Sequence, residues 1–406
     1  MAHNVIEEAK RCLNCKNPQC VKGCPISTPI PEFISTFLNG DINKAGQLLF
    51  DNNPLSVVCS LVCNHSSQCQ GHCIKGIKGQ PVEISTIENY ISERYLDSLQ
   101  LDQAPPNGIK VAVVGGGPAG ITISIKMAQL GYDVTLFESK PKIGGVLRFG
   151  IPEFRLPKSI IDRFEKLMIK MGIKIKPNIT IGKSFGVEEL FRDGFKAISI
   201  GTGVTYPNNL NIKGETLAHV HYGVHYLKSP ESYRLGNNLV IIGGGNVAMD
   251  VARTAMRQGV KNVTITVRSE TYSATKEEAD YAQIEGADFI YNITPIEITD
   301  NSVIFAKTIT NADGSLQTTN ETYEMNCDSV IICVSQKPSN LILRQTQGLE
   351  VNERGLAKIS EDGVTSRPGI FASGDVVRGA KTVVEAVETS KKVAAAMDKY
   401  LKSLKN

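Results

Sequence analysis

The segment Lys110-Val-Ala-Val-Val-Gly-Gly-Gly-Pro-Ala-Gly120 joins a short run of apolar, β-branched residues to the pattern G-x-G-x-x-G. Continuous apolarity of this kind marks a parallel strand covered on both faces. Gly115, Gly117 and Gly120, with Pro118 and Ala119 between the last two, permit a tight turn, close backbone approach and close helix-strand packing, so the N-terminus of a helix beginning near Ile121 can face a pyrophosphate. A second strand, Asp133-Val-Thr-Leu-Phe137, ends at Glu138, placed as the acid that hydrogen-bonds a ribose hydroxyl. Strand, turn, helix and acid in this order predict a dinucleotide site.

The same syntax returns at Asn238-Leu-Val-Ile-Ile-Gly-Gly-Gly-Asn-Val-Ala248, now as G-x-G-x-x-A. Gly243 and Gly245 make the turn, Asn246 and Val247 open the helix, and Ala248 takes the packing position. The next strand, Asn262 to Val267, ends at Arg268 and Ser269 instead of at an acid. A guanidinium matches the geometry of a 2′-phosphate that a carboxylate would repel, so NADP is the expected cofactor. A solvated Arg268 at a strand end is the alternative, and Glu270 keeps NAD open. Two such units in 406 residues predict an α/β architecture with two nucleotide domains.

Eight of the ten cysteines lie ahead of these units, between Cys12 and Cys73. The N-terminus has no apolar signal region and no run approaches the ~18 apolar residues of a membrane span, so a cytoplasmic location is expected. In a reducing compartment clustered thiols serve a metal sooner than a disulfide framework. The 44 basic and 41 acidic residues leave a net +3, which offers no broad basic face to nucleic acid or membrane. Cys12-x2-Cys15-x4-Cys20-x3-Cys24-Pro25 echoes the ferredoxin run, in which three cysteines bind one [4Fe-4S] cluster and the one before proline binds another. Cys59-x3-Cys63-x5-Cys69-x3-Cys73 supplies four more thiols, and eight meet the demand of two clusters. Zinc is the rival metal. Cys327 and Cys333 sit six residues apart on an extended stretch, hence ~20 Å, too far for a disulfide; they are expected in the core. His219, His221 and His225 are expected in a polar loop. No acid, base or nucleophile constellation emerges, so no catalytic residue is assigned and cofactors carry the chemistry.

Residues 102–108, with two prolines and an Asn-Gly pair, form the clearest linker. The expected order is a helical domain over 1–108 with two [4Fe-4S] clusters, followed by two nucleotide domains. Helices are expected over 28–39, 82–99 and 380–404, a small β-meander over 303–325, and a buried strand over 329–333.

Ile198-Ser-Ile-Gly-Thr-Gly203 and Pro368-Gly-Ile-Phe-Ala-Ser-Gly-Asp375 resemble the two returning strands of the two-dinucleotide-binding flavoproteins, the glutathione-reductase-like fold. This resemblance assigns FAD to the first turn, places Thr202, Gly203, Gly374 and Asp375 beside it with Asp375 on the ribityl chain, and implies an FAD domain, 109–215 with 326–406, interrupted by an inserted NAD(P) domain, 216–325. Together with the cysteine pattern and Gly150-Ile-Pro-Glu-Phe-Arg-Leu-Pro157, the chain resembles the small subunit of bacterial glutamate synthase. It also resembles the N-terminal half of dihydropyrimidine dehydrogenase and the NAD(P)-binding subunit of its two-subunit bacterial form. The fold so implied is the glutathione-reductase-like α/β fold preceded by an α-helical iron-sulfur domain.

The resemblance runs from Cys12 to the tail helix. It implies one cluster on Cys12, Cys15, Cys20 and Cys73, and another on Cys24, Cys63, Cys69 and Glu88, leaving Cys59 spare; spacing alone prefers Cys59, because thiolate is the commoner ligand. It adds flavin contacts at Gly144, Gly145, Arg155, Lys381, Thr382 and Val383. The activity implied passes electrons from NADPH through FAD and two clusters to a larger catalytic subunit or a ferredoxin-like acceptor, in a hetero-oligomer. The whole enzyme could be glutamate synthase, dihydropyrimidine dehydrogenase or a ferredoxin-linked transhydrogenase; a redox-sensing binding module is the non-enzyme alternative. Because the chain stops soon after the tail helix, the final substrate site is expected on a second subunit.

Overall fold

The computed structural model describes residues 4–99, 103–339 and 341–404. The chain divides into two units, one of Met1–Leu147, Glu153–Val204 and Pro338–Asn406, the other of Arg148–Pro152 with Thr205–Lys337. No helix among the described residues is long and apolar enough to cross a membrane.

The first unit opens with short helices. Helix Ile30–Leu38 crosses the start of Ile42–Asn52, and both pack on Ile84–Ser98 around Phe33, Ile34, Leu49, Ile87 and Ile91. Local chemistry sets the ends: the Asn4 side chain accepts from the Ile6 amide, and that of Asp41 from the Lys44 amide, satisfying free helix donors. Helix Ile30–Leu38 starts two residues later than expected, after two residues in which Thr28 is buried and accepts a hydrogen bond from Asn52.

The sheet of this unit has the order Ile370–Ala372, Phe195–Ile200, Lys110–Val114, Asp133–Phe137, Lys174–Lys176, all parallel. Val114 aligns with both Phe137 and Ile200, and Ile200 with Ala372. The carboxyl ends of four strands therefore finish on one edge, where ligands bind in open α/β sheets. Helix Val383–Ser403 lies against Pro118–Gln129 and begins at Thr382, whose side chain exchanges hydrogen bonds with Glu385 in a capping box.

The helical region and this sheet form one compact unit, although a linker was expected between them. Asp102 lies outside the described residues; beyond it Ala104 donates to Gln129 O and Asn107 to Gly131 O, so the linker is pinned to the sheet region. Lys126 Nζ donates to Asp51 O at 2.8 Å, Lys391 Nζ to Asn52 Oδ1 at 2.7 Å, and Arg163 pairs with Asp97 at 2.8 Å.

The second unit carries a parallel sheet of order Val220–Tyr222, Ser329–Ile332, Asn238–Ile242, Asn262–Val267, Asp288–Tyr291. An antiparallel meander of Ile293–Ile298, Ser302–Thr310 and Leu316–Asn326 follows. The boundaries differ from the expected 216–325. Strand Ser329–Ile332 is paired on both sides within this sheet, so it cannot belong to the flavin domain, and Leu210 and Ile212 pack into the same core. His219 lies in a turn, as expected, but His221 and His225 do not. Val220–Tyr222 is an edge strand and Gly223–Tyr226 a short helix, because backbone pairing with Ser329–Ile332 orders them. Cys327 and Cys333 pack into different core clusters, and both are free thiols.

Candidate functional site

At the first turn Gly115 adopts φ +101°, and a Cβ there would stand 2.6 Å from Gly201 O. Gly115 N donates to Phe137 O and Gly201 N to Val114 O, each at 2.8 Å, which ties three strand ends together. Gly120 is closer still: a Cβ would lie 1.8 Å from Gly115 O. Gly117 is the N-cap of helix Pro118–Gln129 in extended backbone with no side-chain cap, so the first amides of that helix face outward as an anion site.

Glu138 is buried and holds this turn directly. Its Oε2 accepts from Gly116 N at 2.7 Å, and its Oε1 from Lys140 N at 2.8 Å and Ser139 Oγ at 3.1 Å. Oε2 keeps a lone pair for a ribose hydroxyl. Gly144 N donates to Gly116 O at 2.7 Å, and Gly145, at φ +51°, would put a Cβ 2.8 Å from Gly117 Cα. The pair therefore closes over the turn by backbone contact that a side chain would block.

Gly374, at φ +73°, brings the start of the Asp375–Arg378 helix beside Ala119, since a Cβ on it would be 3.1 Å from Ala119 Cβ. Asp375 accepts from Lys381 N at 3.3 Å; burial pushes its carboxyl up to about 7, with the Lys381 amide opposing and Glu385 adding to the rise. Thr202 follows Gly201 beside Gly115, and its hydroxyl is buried without a hydrogen-bond partner among the described residues. Gly203 sits at φ +66° in open space. A polar ligand at this edge would satisfy Thr202 and the open helix amides together, so the residues present fit a dinucleotide. Thr382 spends its hydroxyl on Glu385 at 2.6 Å, which leaves the backbone of the Lys381–Val383 stretch to meet any ligand. Arg155 is half-buried, in the segment that Lys158 ties back to Leu147 O at 2.9 Å.

The second turn repeats the device within its own unit. Gly243 has φ +124° and would place a Cβ 2.5 Å from Cys333 O, while Gly245 caps helix Asn246–Arg257 with no side-chain bond. Ala248 is fully buried and Val247 half-buried. The loop after the next strand folds over the turn: Ser273 N and Ala274 N both donate to Gly244 O at 2.9 Å, and Thr275 N to Asn246 Oδ1 at 2.8 Å. Nothing in the polar composition of this loop signals that it returns to the turn. Arg268 is exposed at the strand end; its carbonyl accepts from Thr308, and its guanidinium has no ion-pair partner among the described residues. Ser269 gives its hydroxyl to Thr271 O at 2.9 Å, so Arg268 is the donor left to meet a phosphate.

The cysteines form two groups. Cys12, Cys15, Cys20 and Cys73 line one pocket whose other walls are mainly apolar, among them Ile30, Ile34 and Val82. Burial raises the Cys12 thiol and pushes that of Cys20 up to about 11; the neighbouring thiols of the group add to both shifts, and Lys75 lowers Cys12. The second group gathers Cys24, Cys63, Cys69 and Glu88, with Cys59 alongside. Cys63 is raised first by a hydrogen bond with Cys59, then by burial, Glu88 and Cys69; Cys69 is raised by burial, Glu88 and Cys24. Glu88 lies on the stripe Ile84, Ile87, Ile91 that faces the core, and burial pushes its carboxyl up to about 8. It makes no hydrogen bond with any described residue.

Each group thus gathers soft thiol donors, with Glu88 in the second, in the manner that an iron-sulfur cluster uses. Among the described residues no three of His, Cys, Asp and Glu converge closely enough to hold a single ion. Four thiols lining one pocket fit an iron-sulfur cluster, whose irons are held by cysteine thiolates. His65 and His72 hydrogen-bond to the carbonyls of Cys59 and Gln68.

Residues 109–390 match the family described as pyridine nucleotide-disulphide oxidoreductase, and residues 1–99 that described as dihydropyrimidine dehydrogenase domain II, 4Fe-4S cluster. The NAD-dependent dihydropyrimidine dehydrogenase subunit PreT homolog of Salmonella typhi is 32% identical, over 98% of this chain and 94% of that protein. The glutamate synthase [NADPH] small chain of Escherichia coli K12 is 29% identical, over 97% and 91%. Among solved structures, FprA of Mycobacterium tuberculosis in complex with NADPH superposes with TM-score 0.64 at 18% identity, over 74% of this chain and 86% of that one. Lactococcus lactis thioredoxin reductase gives 0.59 at 21%, over 73% and 99%. The two structures share the fold.

Proposed function

The chain belongs to the pyridine nucleotide-disulphide oxidoreductases, with a dihydropyrimidine dehydrogenase-type 4Fe-4S domain at its front, and we propose that it is the electron-input subunit of a larger enzyme. It is an NAD(P)H-dependent flavin oxidoreductase of the glutamate synthase or dihydropyrimidine dehydrogenase type. FAD, when bound, would supply hydride-accepting chemistry and iron-sulfur clusters one-electron transfer.

The protein's part is to hold and insulate. Gly115, Gly117 and Gly120 open the amides of Ala119 and its neighbours to the FAD pyrophosphate, Glu138 takes the ribose, and Asp375 with Gly374 and Thr202 faces the flavin side. Gly243, Gly245 and Ala248 do the same for the nicotinamide dinucleotide, where Arg268 favours NADPH. Cys12, Cys15, Cys20 and Cys73 would hold one [4Fe-4S] cluster and Cys24, Cys63, Cys69 and Glu88 a second, with Cys59 a hydrogen-bonding neighbour of Cys63. The second group stands nearer the flavin domain: Cys24 Sγ lies 3.3 Å from Thr28 Oγ1, Thr28 accepts from Asn52, and Asn52 accepts from Lys391 of helix Val383–Ser403. Electrons would enter by that group and leave by the first.

The observation that carries this reading is the presence of the dinucleotide turn and both donor groups in one compact unit. Chain purified without oxygen should hold one FAD and about eight irons, twice the content of one [4Fe-4S] cluster. Glu88→Ala should lose about half of the iron, and Cys59→Ala should keep it; the reverse outcome would make Cys59 the ligand. FAD with no iron would end the electron-transfer reading.

A further inference from the structure

Residues 9–31 and 52–82, which carry all eight clustered cysteines, contain six Lys and Arg and not one Asp or Glu. In a chain of net +3 this is a local concentration. Lys10 and Arg11 are answered by Glu7 and Glu8. Lys16, Lys22, Lys75 and Lys78 have no ion-pair partner among the described residues. Lys75 acts on the Cys12 thiol, a local role in balancing negative donors. Lys78 is exposed at the edge of the segment and faces outward instead.

Apolar side chains stand among these charges. Leu13 is 60%, Ile74 38% and Ile77 78% exposed. Leu13 and Ile74 belong to the wall of the pocket that gathers Cys12, Cys15, Cys20 and Cys73, and Lys75 is shared between that pocket and an adjoining groove lined by Ile74, Ile77, Lys78 and Arg11. The surface is therefore continuous, apolar at the pocket mouth and basic around it. In the second donor group Cys69 is buried, and Cys24 leads through Thr28 and Asn52 toward Lys391.

We propose that the face of Leu13, Ile74, Ile77, Lys75 and Lys78 is the docking surface for an acidic electron-accepting protein of the ferredoxin class, which draws electrons from the Cys12–Cys73 group. The assignment rests on the electron-input reading above. An apolar centre excludes water at the point of transfer, and a basic rim steers a carboxylate-ringed partner into register. Each docking moves one electron outward and makes or breaks no bond; two dockings discharge one NADPH, which leaves as NADP+ and a proton.

The test uses the full chain, purified without oxygen and loaded with FAD and iron, with an acidic bacterial [4Fe-4S] ferredoxin as acceptor. Ferredoxin reduction by NADPH should slow steeply as salt rises, because the steering charges are exposed. Lys78→Glu should cut its second-order rate by about tenfold at low ionic strength, with the difference shrinking in high salt. Ile77→Ser should weaken binding at all salt concentrations, whereas Lys170→Glu, on an exposed helix face outside these segments, should change neither. Iron content and NADPH reduction of a neutral benzoquinone should stay constant throughout. If the chain's own clusters are reduced by NADPH, as seen by electron paramagnetic resonance, yet ferredoxin is not reduced, or is reduced without salt dependence and equally by Lys78→Glu, the docking surface is refuted. If the clusters are absent or stay oxidised under NADPH, the electron-input reading fails instead.

Discussion

Gly120→Ala puts two physical effects in direct opposition. Gly120 lies in the first turn of helix Pro118–Gln129, where helix propensity alone favours alanine by about 1 kcal/mol. The added Cβ, however, would stand 1.8 Å from Gly115 O and 3.0 Å from Gly115 C. A carbon needs about 3.3 Å from a carbonyl oxygen, so helix and turn must separate by roughly 1.5 Å. The obstacle is backbone held in the sheet through Gly115 N and Phe137 O, with no side chain to rotate aside. Overpacking costs about 1–3 kcal/mol in general, and this geometry belongs at the upper end. The net loss should be about 2 kcal/mol, and because the displaced amides are those facing the pyrophosphate, FAD affinity should fall by about 30-fold, at 1.4 kcal/mol per tenfold. Flavin fluorescence titration of the deflavinated chain reads the affinity, and urea unfolding followed by circular dichroism reads the stability. Gly172→Ala is the comparison: it has φ +81° with nothing within 4 Å, so it should cost only the backbone strain of about 1 kcal/mol and leave FAD binding unchanged. A Gly120→Ala chain that binds FAD as tightly as the parent and is no less stable would refute the reasoning that close helix-strand approach builds this site.

Arg268→Asp should reverse cofactor preference, lowering kcat/KM for NADPH by about 10- to 100-fold through loss of a charge-assisted contact and new repulsion; steady-state rates with NADPH and NADH check the ratio, and an unchanged ratio would leave Arg268 a solvated charge. Asp375 has a folded-state carboxyl raised to about 7 by burial, so in the FAD-free chain its protonated form favours folding at low pH and this contribution is lost as pH rises through about 7. Asp375→Asn should therefore flatten the stability-pH curve between about pH 4 and 7 on unfolding by urea. Arg253, buried, pairs with Glu278 at 2.9 Å and Glu285 at 3.0 Å. Arg253→Met should destabilise the second unit by about 2 kcal/mol, because the charge-assisted hydrogen bonds to Glu278 and Glu285 are lost while Arg257 still pairs with Glu285; thermal melting of the chain measures it.

Much of the architecture was legible because it rests on local chemistry. Val111 to Val114 are uniformly apolar because both faces of that strand are covered, and the glycines at 115, 117 and 120 mark backbone approaches that tolerate no Cβ, a constraint written residue by residue. The capping box at Thr382 and Glu385 is equally local. Glu88 was found by resemblance, yet it also leaves a trace of its own: one acid on an otherwise apolar stripe of Ile84, Ile87 and Ile91.

Other features depended on partners distant in the chain. Ser329 to Ile332 is apolar enough to enter either sheet, and only its pairing with Asn238–Ile242 and Val220–Tyr222 places it in the second unit. The linker after Asp102 has the composition of a free hinge, but hydrogen bonds to Gln129 and Gly131 bind it down. The sorting of eight thiols into two groups is also tertiary, for Cys73 joins Cys12 across some sixty residues of chain. The sequence by itself determined which residues can turn, cap, bind phosphate or carry a metal, since these are properties of single side chains and their immediate neighbours. Which of them meet was decided only by the folded chain, because sheet pairing and burial compare many compatible partners and select among them by packing.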